Sequence, residues 1–138
     1  MTIRPMTIDD YDDAYALWNA SLASLRTMND SREAVERFLR RNPGISVVAE
    51  EDGGLVGSIL CGHDGRRGYL YHVSVGRAHR RGGVGQAMVR ACLAALRAEG
   101  ITKCALVAFT TNAGGNAFWE AMGFQAREDL YYRDVALN

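Results

Sequence analysis

The sequence has little of what marks a disordered, nucleic-acid-binding or membrane-surface protein. Two prolines in 138 residues exclude a proline-rich linker or tail. Sixteen basic and sixteen acidic residues leave no net charge, so no overall field draws the chain to nucleic acid or to an anionic membrane. We therefore expect neither partner, and a charge-based site has to be local.

Cysteine is also scarce. Cys61, Cys92 and Cys104 are odd in number, lack CxxC spacing and lie in apolar stretches. This pattern argues against a disulfide framework and a zinc site, so we expect reduced, buried thiols and no bound metal. Because the N-terminus lacks a signal-peptide core and no apolar run is long enough to span a membrane, the sequence predicts a cytoplasmic protein.

What is present fits one folded domain over residues 1–138. A short strand over 2–6 precedes two helices, and the second helix ends by Asn42-Pro43-Gly44. Strands over 45–49, 55–60 and 69–75 follow as a meander. A long helix from Val84 to Gly100, a strand over 103–109, a helix over 113–122 and a strand over 130–135 complete the predicted order.

The first helix has a clear start and an apolar face. Its predicted start is a capping box of Thr7 and Asp10. The residues that recur at helical spacing after this start are Tyr11, Tyr15, Trp18, Leu22 and Leu25.

A glycine-rich segment, Arg80-Arg81-Gly82-Gly83-Val84-Gly85, lies between the third meander strand and the long helix. Backbone N–H groups and the helix dipole converge there, and glycines let an anion approach closely. The two arginines add forked donors for phosphate oxygens. The segment indicates a phosphate or pyrophosphate site; the alternative is a glycine turn that merely begins a helix.

Two better-known phosphate loops do not fit. A dinucleotide-binding loop needs a third glycine where Met88 stands and a later acidic residue near a strand end. A Walker loop needs Gly-Lys-Ser or Gly-Lys-Thr, which the segment lacks. The anion therefore belongs to another cofactor.

The segment resembles the signature Gln/Arg-x-x-Gly-x-Gly/Ala of the GNAT superfamily of N-acetyltransferases. The resemblance continues through Val73-Ser74-Val75 and through Asn112 with Phe118-Trp119-Glu120-Ala121-Met122-Gly123-Phe124, and it covers essentially the whole chain. It implies an α/β (α+β) fold with a mixed, mostly antiparallel sheet of about six to seven strands and about four helices. The strands over 69–75 and 103–109 would form a splayed parallel pair.

The resemblance implies acetyl-coenzyme A as cosubstrate and an amine-bearing acceptor, either a small molecule or a peptide or protein. The pantetheine arm would bond to the backbones of Val73 and Val75, and Asn112 would bond to it or orient the cleft. The pyrophosphate would lie on the N–H groups of residues 81–86. The predicted cofactor-binding residues are Val73, Ser74, Val75, Arg80, Arg81, Gly82, Gly83, Val84, Gly85, Gln86 and Asn112.

The usual acid and base positions of the family are altered. Trp119 stands where many relatives have a tyrosine acid, and Val107 stands where the ribosomal-protein acetyltransferases have a glutamate base. Tyr69 and Tyr71, which share a strand face, are the candidate catalytic residues, although neither is a good base at an ordinary pKa of about 10. The alternative is that both tyrosines only pack.

Other polar residues of the acceptor side have plain structural explanations as well. His72 is expected on the opposite strand face as a structural histidine. Tyr131 and Tyr132 would border the acceptor site in a final hairpin. The acidic residues of the first two helices either attract a cationic amine or form a solvated face; they are Asp9, Asp10, Asp12, Asp13, Asp30 and Glu33.

The leading hypothesis is acetyl transfer by direct attack of the amine in a ternary complex, because no cysteine lies at a nucleophile position. One alternative is a module that binds acetyl-coenzyme A as a sensor with little or no transfer. Another is an acetyltransferase-like subunit that activates a partner. A homodimer is compatible with the fold.

Overall fold

A computed structural model describes residues 1–20 and 29–137 of the chain. Two short 3-10 turns, Ile8–Asp10 and Arg77–His79, precede α1 and α3. The strands and helices, in chain order, are β1 Thr2–Pro5, α1 Tyr11–Ala20, α2 Arg32–Arg41, β2 Val47–Glu51, β3 Gly54–His63, β4 Gly68–Val75, α3 Val84–Ala98, β5 Cys104–Ala105 and α4 Ala113–Ala121.

The predicted capping box forms at the start of the first helical segment. Thr7 Oγ1 accepts from the Asp9 N–H at 3.3 Å, and Asp10 Oδ2 accepts from the Thr7 N–H at 2.9 Å. Asp10 also pairs with Arg4 of β1, at 2.7 Å from Nη2 to Oδ1. The Arg4 hydrogen bond is the main reason why the pKa of Asp10 is lowered.

The five strands follow chain order across the sheet, β1-β2-β3-β4-β5. The first three pairings are antiparallel, and β4 pairs with β5 in parallel. One side of the sheet packs against α3, through Met88, Cys92 and Leu96. The other side packs against α1 and α2, through Trp18 and Val35.

The apolar stripe of the first helix is confirmed where the structure describes it. Tyr11, Tyr15 and Trp18 pack in the cluster between α1 and the sheet. Leu22 and Leu25 lie outside the described residues.

The predicted count of six to seven strands is wrong for the described chain, which has five. The strand expected over 103–109 is limited to Cys104–Ala105, and the strand expected over 130–135 does not form. Tyr131 is 88% exposed, and neither it nor its neighbours pair with the sheet. Strand-forming residues over 130–135 do not by themselves make a strand, because the backbone groups of a strand also need a neighbouring strand as partner.

Cys61 and Cys92 are buried, as expected, whereas Cys104 is half-buried.

None of the helices within residues 1–20 and 29–137 has the length and apolar character needed to cross a membrane.

Candidate active site

β4 carries a bulge, and the gap between β4 and the unpaired residues 106–109 is the cleft. Tyr71 lies opposite Leu60 and Ser74 lies opposite Ser58, so β4 has one residue more than β3 over this stretch. His72, inside the bulge, has φ of +49°. Such a conformation costs a non-glycine residue about 1–3 kcal/mol, so the surrounding contacts must hold it.

The parallel pairing of β4 with β5 ends just before this bulge. Its ladder joins Gly68 to Cys104 and Tyr69 to Ala105. Beyond that point, residues 106–109 form no ladder with the described part of β4. The predicted splayed pair is therefore confirmed, although its ladder is short.

Val73, Ser74 and Val75 form the end of β4 along this cleft. The side chains of Val73 and Val75 pack toward α3. Ser74 is only 7% exposed, so its side chain offers little surface to a ligand. Their position fits a role through the backbone, as predicted from the sequence.

The glycine segment leads directly into α3. Gly83 is the N-cap residue with φ of +85°, and no side chain caps the helix. Ala87 donates to the Gly83 carbonyl at 3.0 Å, one full turn into the helix. The preceding N–H groups, those of Val84, Gly85 and Gln86, have no intrahelical acceptor, as at any helix start. They form a set of donors suited to an anion.

Gly85 serves a different purpose from Gly83. A Cβ at position 85 would lie 3.4 Å from Phe118 Cζ and 3.6 Å from Val75 Cγ2. A Cβ at Gly83 would meet nothing within 4 Å, so Gly83 is needed for its backbone conformation alone. The first glycine sets the turn, and the second leaves space between β4 and α4.

The two arginines of the segment differ in their contacts. Arg80 Nε donates to the Val75 carbonyl at 3.2 Å and so ties the segment to the end of β4. Arg81 and Gly82 are exposed, and Arg81 has φ of +67°. The loop thus presents backbone donors and positive charge at the same end of the cleft.

Two asparagines, Asn112 and Asn116, make hydrogen bonds that fix the start of α4. Asn112 is the N-cap residue, and its Oδ1 accepts from the Gly115 N–H at 3.0 Å. Asn116, which the sequence analysis did not identify, donates to the Phe109 carbonyl at 3.1 Å. Asn112 therefore has a capping role, and its contact with a ligand stays a prediction.

Tyr69 and Tyr71 stack on each other with ring centroids 4.7 Å apart and planes 26° from parallel. The Tyr71 ring also meets the Phe38 ring edge-on at 5.8 Å. Burial raises the pKa of both hydroxyls above the ordinary value of 10.0. Both tyrosines are therefore neutral near pH 7 and do not act there as bases.

The expectation that His72 lies on the face opposite to Tyr71 is wrong. The bulge shifts the alternation by one residue, and the His72 ring stacks on Trp18 at 4.5 Å, in the layer that Tyr71 also contacts. His72 Nε2 lies 2.8 Å from Asp30 Oδ1. Asp30 and Asp10 thus have structural partners and are not part of a plain solvated face.

The two altered family positions have different surroundings. Trp119 packs edge-on against Phe118 at 4.9 Å and Phe124 at 5.2 Å. Val107 is 41% exposed and presents no titratable group. Tyr131 and Tyr132 are exposed, so the expected hairpin wall is not formed by these residues.

A cavity of about 1700 Å³ runs along the outer side of β5, away from the glycine segment. Its lining includes Leu106, Trp119, Met122, Leu130 and Tyr132. It is separate from the donors at the start of α3.

Comparisons with known proteins agree with this geometry. The acetyltransferase (GNAT) family matches residues 9–124. An acetyltransferase of Sodalis glossinidius (strain morsitans) is 31% identical over 130 residues, which are 94% of this chain and 91% of the relative.

Two solved structures share the fold. The aminoglycoside antibiotic 6'-N-acetyltransferase AAC(6')-IG of Acinetobacter haemolyticus is 21% identical, with a TM-score of 0.78 and 100% coverage of both chains. AAC(6')-Iy, in complex with the bisubstrate analog CoA-S-monomethyl-acetylneamine, is 18% identical, with a TM-score of 0.77 and 98% coverage of both chains.

The bulged β4, the splayed β5 and the glycine start of α3 thus define the acetyltransferase class of α/β fold. The chain belongs to the acetyltransferase (GNAT) family and is an acyltransferase.

Proposed function

We propose that the protein transfers the acetyl group of acetyl-coenzyme A to a primary amine by direct attack within a ternary complex. The observation that carries this proposal is the uncapped start of α3 at Gly83, placed at the end of the open β4–β5 cleft. A pyrophosphate and a pantetheine arm need these two features side by side. In a protein of the same fold, AAC(6')-Iy, a bisubstrate analog containing coenzyme A is bound.

The residues present fit such a cosubstrate. The N–H groups of residues 84–86 lack intrahelical partners, and a Cβ at Gly85 would lie in contact with Phe118 and Val75. The segment Arg80 to Gln86 would hold the pyrophosphate, and the backbones of Val73 to Val75 would hold the pantetheine amides. Asn112 would orient the facing wall. When bound, acetyl-coenzyme A supplies the activated thioester.

The contribution of the chain to the acyl-transfer step is chiefly positional. Neutral Tyr69 and Tyr71 hydroxyls can hold the amine by hydrogen bonds, but their raised pKa values make them poor proton acceptors at neutral pH. The amine would enter in its neutral form; its bond to the acetyl carbon would form as the C–S bond breaks, and the excess proton on nitrogen would pass to the released thiolate, directly or through water. Holding reactants in line accelerates a bimolecular step without any protein acid or base.

The thiols support direct attack instead of a covalent acetyl-enzyme. Burial raises the pKa of Cys104 to about 11, so its thiolate is scarce at neutral pH. The pKa of Cys92 is raised as well, mainly by a hydrogen bond with Cys61. A thiol nucleophile would need the opposite shift.

A second candidate function is an acetyl-coenzyme A sensor with little or no transferase activity. Trp119 and Val107 favour it, because neither supplies an acid or a base at its family position. The cofactor geometry is the same in both candidates. Only the presence of an acceptor reaction separates them.

Calorimetric titration of the whole chain with acetyl-coenzyme A and free coenzyme A tests the cofactor assignment. A thiol-release assay with a panel of amines then tests transfer. Binding with acceptor-dependent thiol release supports the transferase. Binding without release from any amine favours the sensor, and an absence of binding contradicts both candidates.

A further inference from the structure

The Asp30–His72 pair lies under the bulge of β4. Its two side chains are 10% and 3% exposed, and Asp30 Oδ1 lies 2.8 Å from His72 Nε2. The sequence separation of the pair is 42 residues, so only the fold brings the two side chains together. A charge buried to this degree is strongly destabilising unless it is paired.

The contacts of this pair extend into three elements. His72 stacks on Trp18 of α1, and Trp18 Nε1 donates to Ser58 Oγ of β3 at 3.0 Å. The Asp30 carbonyl accepts from the Tyr11 hydroxyl at 2.6 Å. Asp30 immediately precedes Ser31, the N-cap residue of α2. The pair thus connects the β4 bulge to the first two helices.

We propose that Asp30 is a positioning residue that acts through His72 to fix the β4 bulge, and thereby the backbone of Val73 in the cleft. The inference rests on the proposed function of that cleft. It names a residue outside the glycine segment that controls the binding of the cosubstrate.

The backbone geometry supplies the reason. His72 has φ of +49°, an uncommon conformation for a non-glycine residue that favourable contacts have to offset. Without the bulge, the alternation of β4 would continue unbroken, and every residue after Tyr71 would turn to the other face. Val73 would then leave its packing position against the α3 layer. The contacts of the buried imidazole with Asp30 and Trp18 offset the cost of the His72 conformation.

Two substitutions at Asp30 test the role in the full-length chain. Asp30→Ala removes the carboxylate, and we expect coenzyme A to bind at least about fivefold more weakly. The amide resonances of residues 73–75 should also move in the ¹⁵N–¹H spectrum. Asp30→Asn keeps an oxygen acceptor at the same distance, and we expect it to restore affinity to within about twofold of the unchanged chain.

The His63–Glu99 pair offers a control of similar chemistry. His63 Nε2 lies 2.8 Å from Glu99 Oε1, the same separation as in the Asp30–His72 pair, but near the end of β3 that is distant from the bulge. Glu99→Ala should leave both coenzyme A affinity and the amides of residues 73–75 unchanged. The side chains of His63 and Glu99 are 21% and 42% exposed, so this control removes a similar ion pair at a less buried position.

If Asp30→Ala does not fold, a substitution of His72 tests the same role. His72→Phe retains an aromatic ring against Trp18 and removes Nε2, and we expect the same loss of affinity and the same resonance shifts. Unchanged affinity and unchanged resonances in a folded Asp30→Ala or His72→Phe variant would overturn the inference.

The proposed function can fail separately. If the unchanged chain binds coenzyme A but acetylates no amine, transfer fails while the affinity comparison still decides the role of Asp30. If the unchanged chain does not bind coenzyme A, the resonances of residues 73–75 decide it alone.

Discussion

The side of the cleft proposed for the cofactor and the side proposed for the acceptor are built in different ways. The cofactor side uses backbone: an uncapped helix start, a left-handed glycine and the end of a bulged strand. The acceptor side uses aromatic side chains from α1, α2 and β4 that pack on one another. A backbone site depends on a short local motif, whereas an aromatic wall depends on residues far apart in sequence. A single substitution within the short motif is therefore expected to affect the first side most, whereas the second side changes when any of several distant residues changes.

The largest expected effect is on the cofactor side. Gly83→Asp places a side chain in a left-handed conformation and a negative charge beside the pyrophosphate, and we expect coenzyme A affinity to fall at least about a hundredfold. Calorimetric titration measures the change.

Gly53→Asp is the matched control for this substitution. Gly53 has φ of +80° and open space around it, like Gly83, but it lies in the β2–β3 turn. The control should lose some stability and no affinity. Near-normal binding by Gly83→Asp would contradict the placement of the pyrophosphate.

Substitutions of Trp119 test whether this residue, which stands where many relatives have a tyrosine acid, serves only in packing. Trp119→Ala should destabilise the fold by about 2–4 kcal/mol, since the indole packs between two phenylalanines. Trp119→Phe should cost less than about 1.5 kcal/mol. Urea unfolding measures both. A loss of turnover in Trp119→Phe at unchanged stability would instead indicate a chemical role for the indole.

Tyr71→Phe tests the acceptor side directly. Losing one hydrogen bond should lower kcat by about three- to tenfold. Because burial raises the pKa of this hydroxyl, it stays protonated from pH 6 to 9 in the unchanged chain, and the shape of the pH–rate profile should not change. A profile that shifts in Tyr71→Phe would show that the hydroxyl titrates during turnover and would contradict the positional role.

The smallest effect on the cleft is expected from Asp10→Asn. Arg4 lowers the pKa of Asp10, so their pairing stabilises the folded state above the ordinary value of 3.8 and is lost as pH falls below it. Because Arg4 is 35% exposed, we expect a loss of only about 1 kcal/mol at pH 7.

Urea unfolding of Asp10→Asn at several pH values measures this contribution. The difference from the unchanged chain should shrink toward pH 3, and coenzyme A affinity should stay the same. A large loss of coenzyme A affinity in Asp10→Asn would show that the Arg4–Asp10 pair affects the proposed cofactor site, which we do not expect.

Local patterns in the sequence were sufficient for much of this protein. Thr7 and Asp10 predicted a helix start because both partners of a capping box lie within four residues. The Arg80 to Gly85 segment predicted a helix that begins with donors facing outward, and the structure has that arrangement. The cofactor-binding role of the Arg80 to Gly85 segment and the catalytic role of Tyr69 and Tyr71 remain predictions.

The bulge in β4 and the Asp30–His72 pair depend on contacts between residues that are distant in sequence. No local signal showed that β4 would gain a residue against β3, that His72 would therefore turn toward Trp18, or that Asp30 would reach it across 42 positions. The strand predicted over 130–135 likewise finds no partner in the described chain. Short-range order follows from residues that are neighbours in sequence, whereas register, bulges and buried pairs depend on which distant backbone and side-chain groups meet.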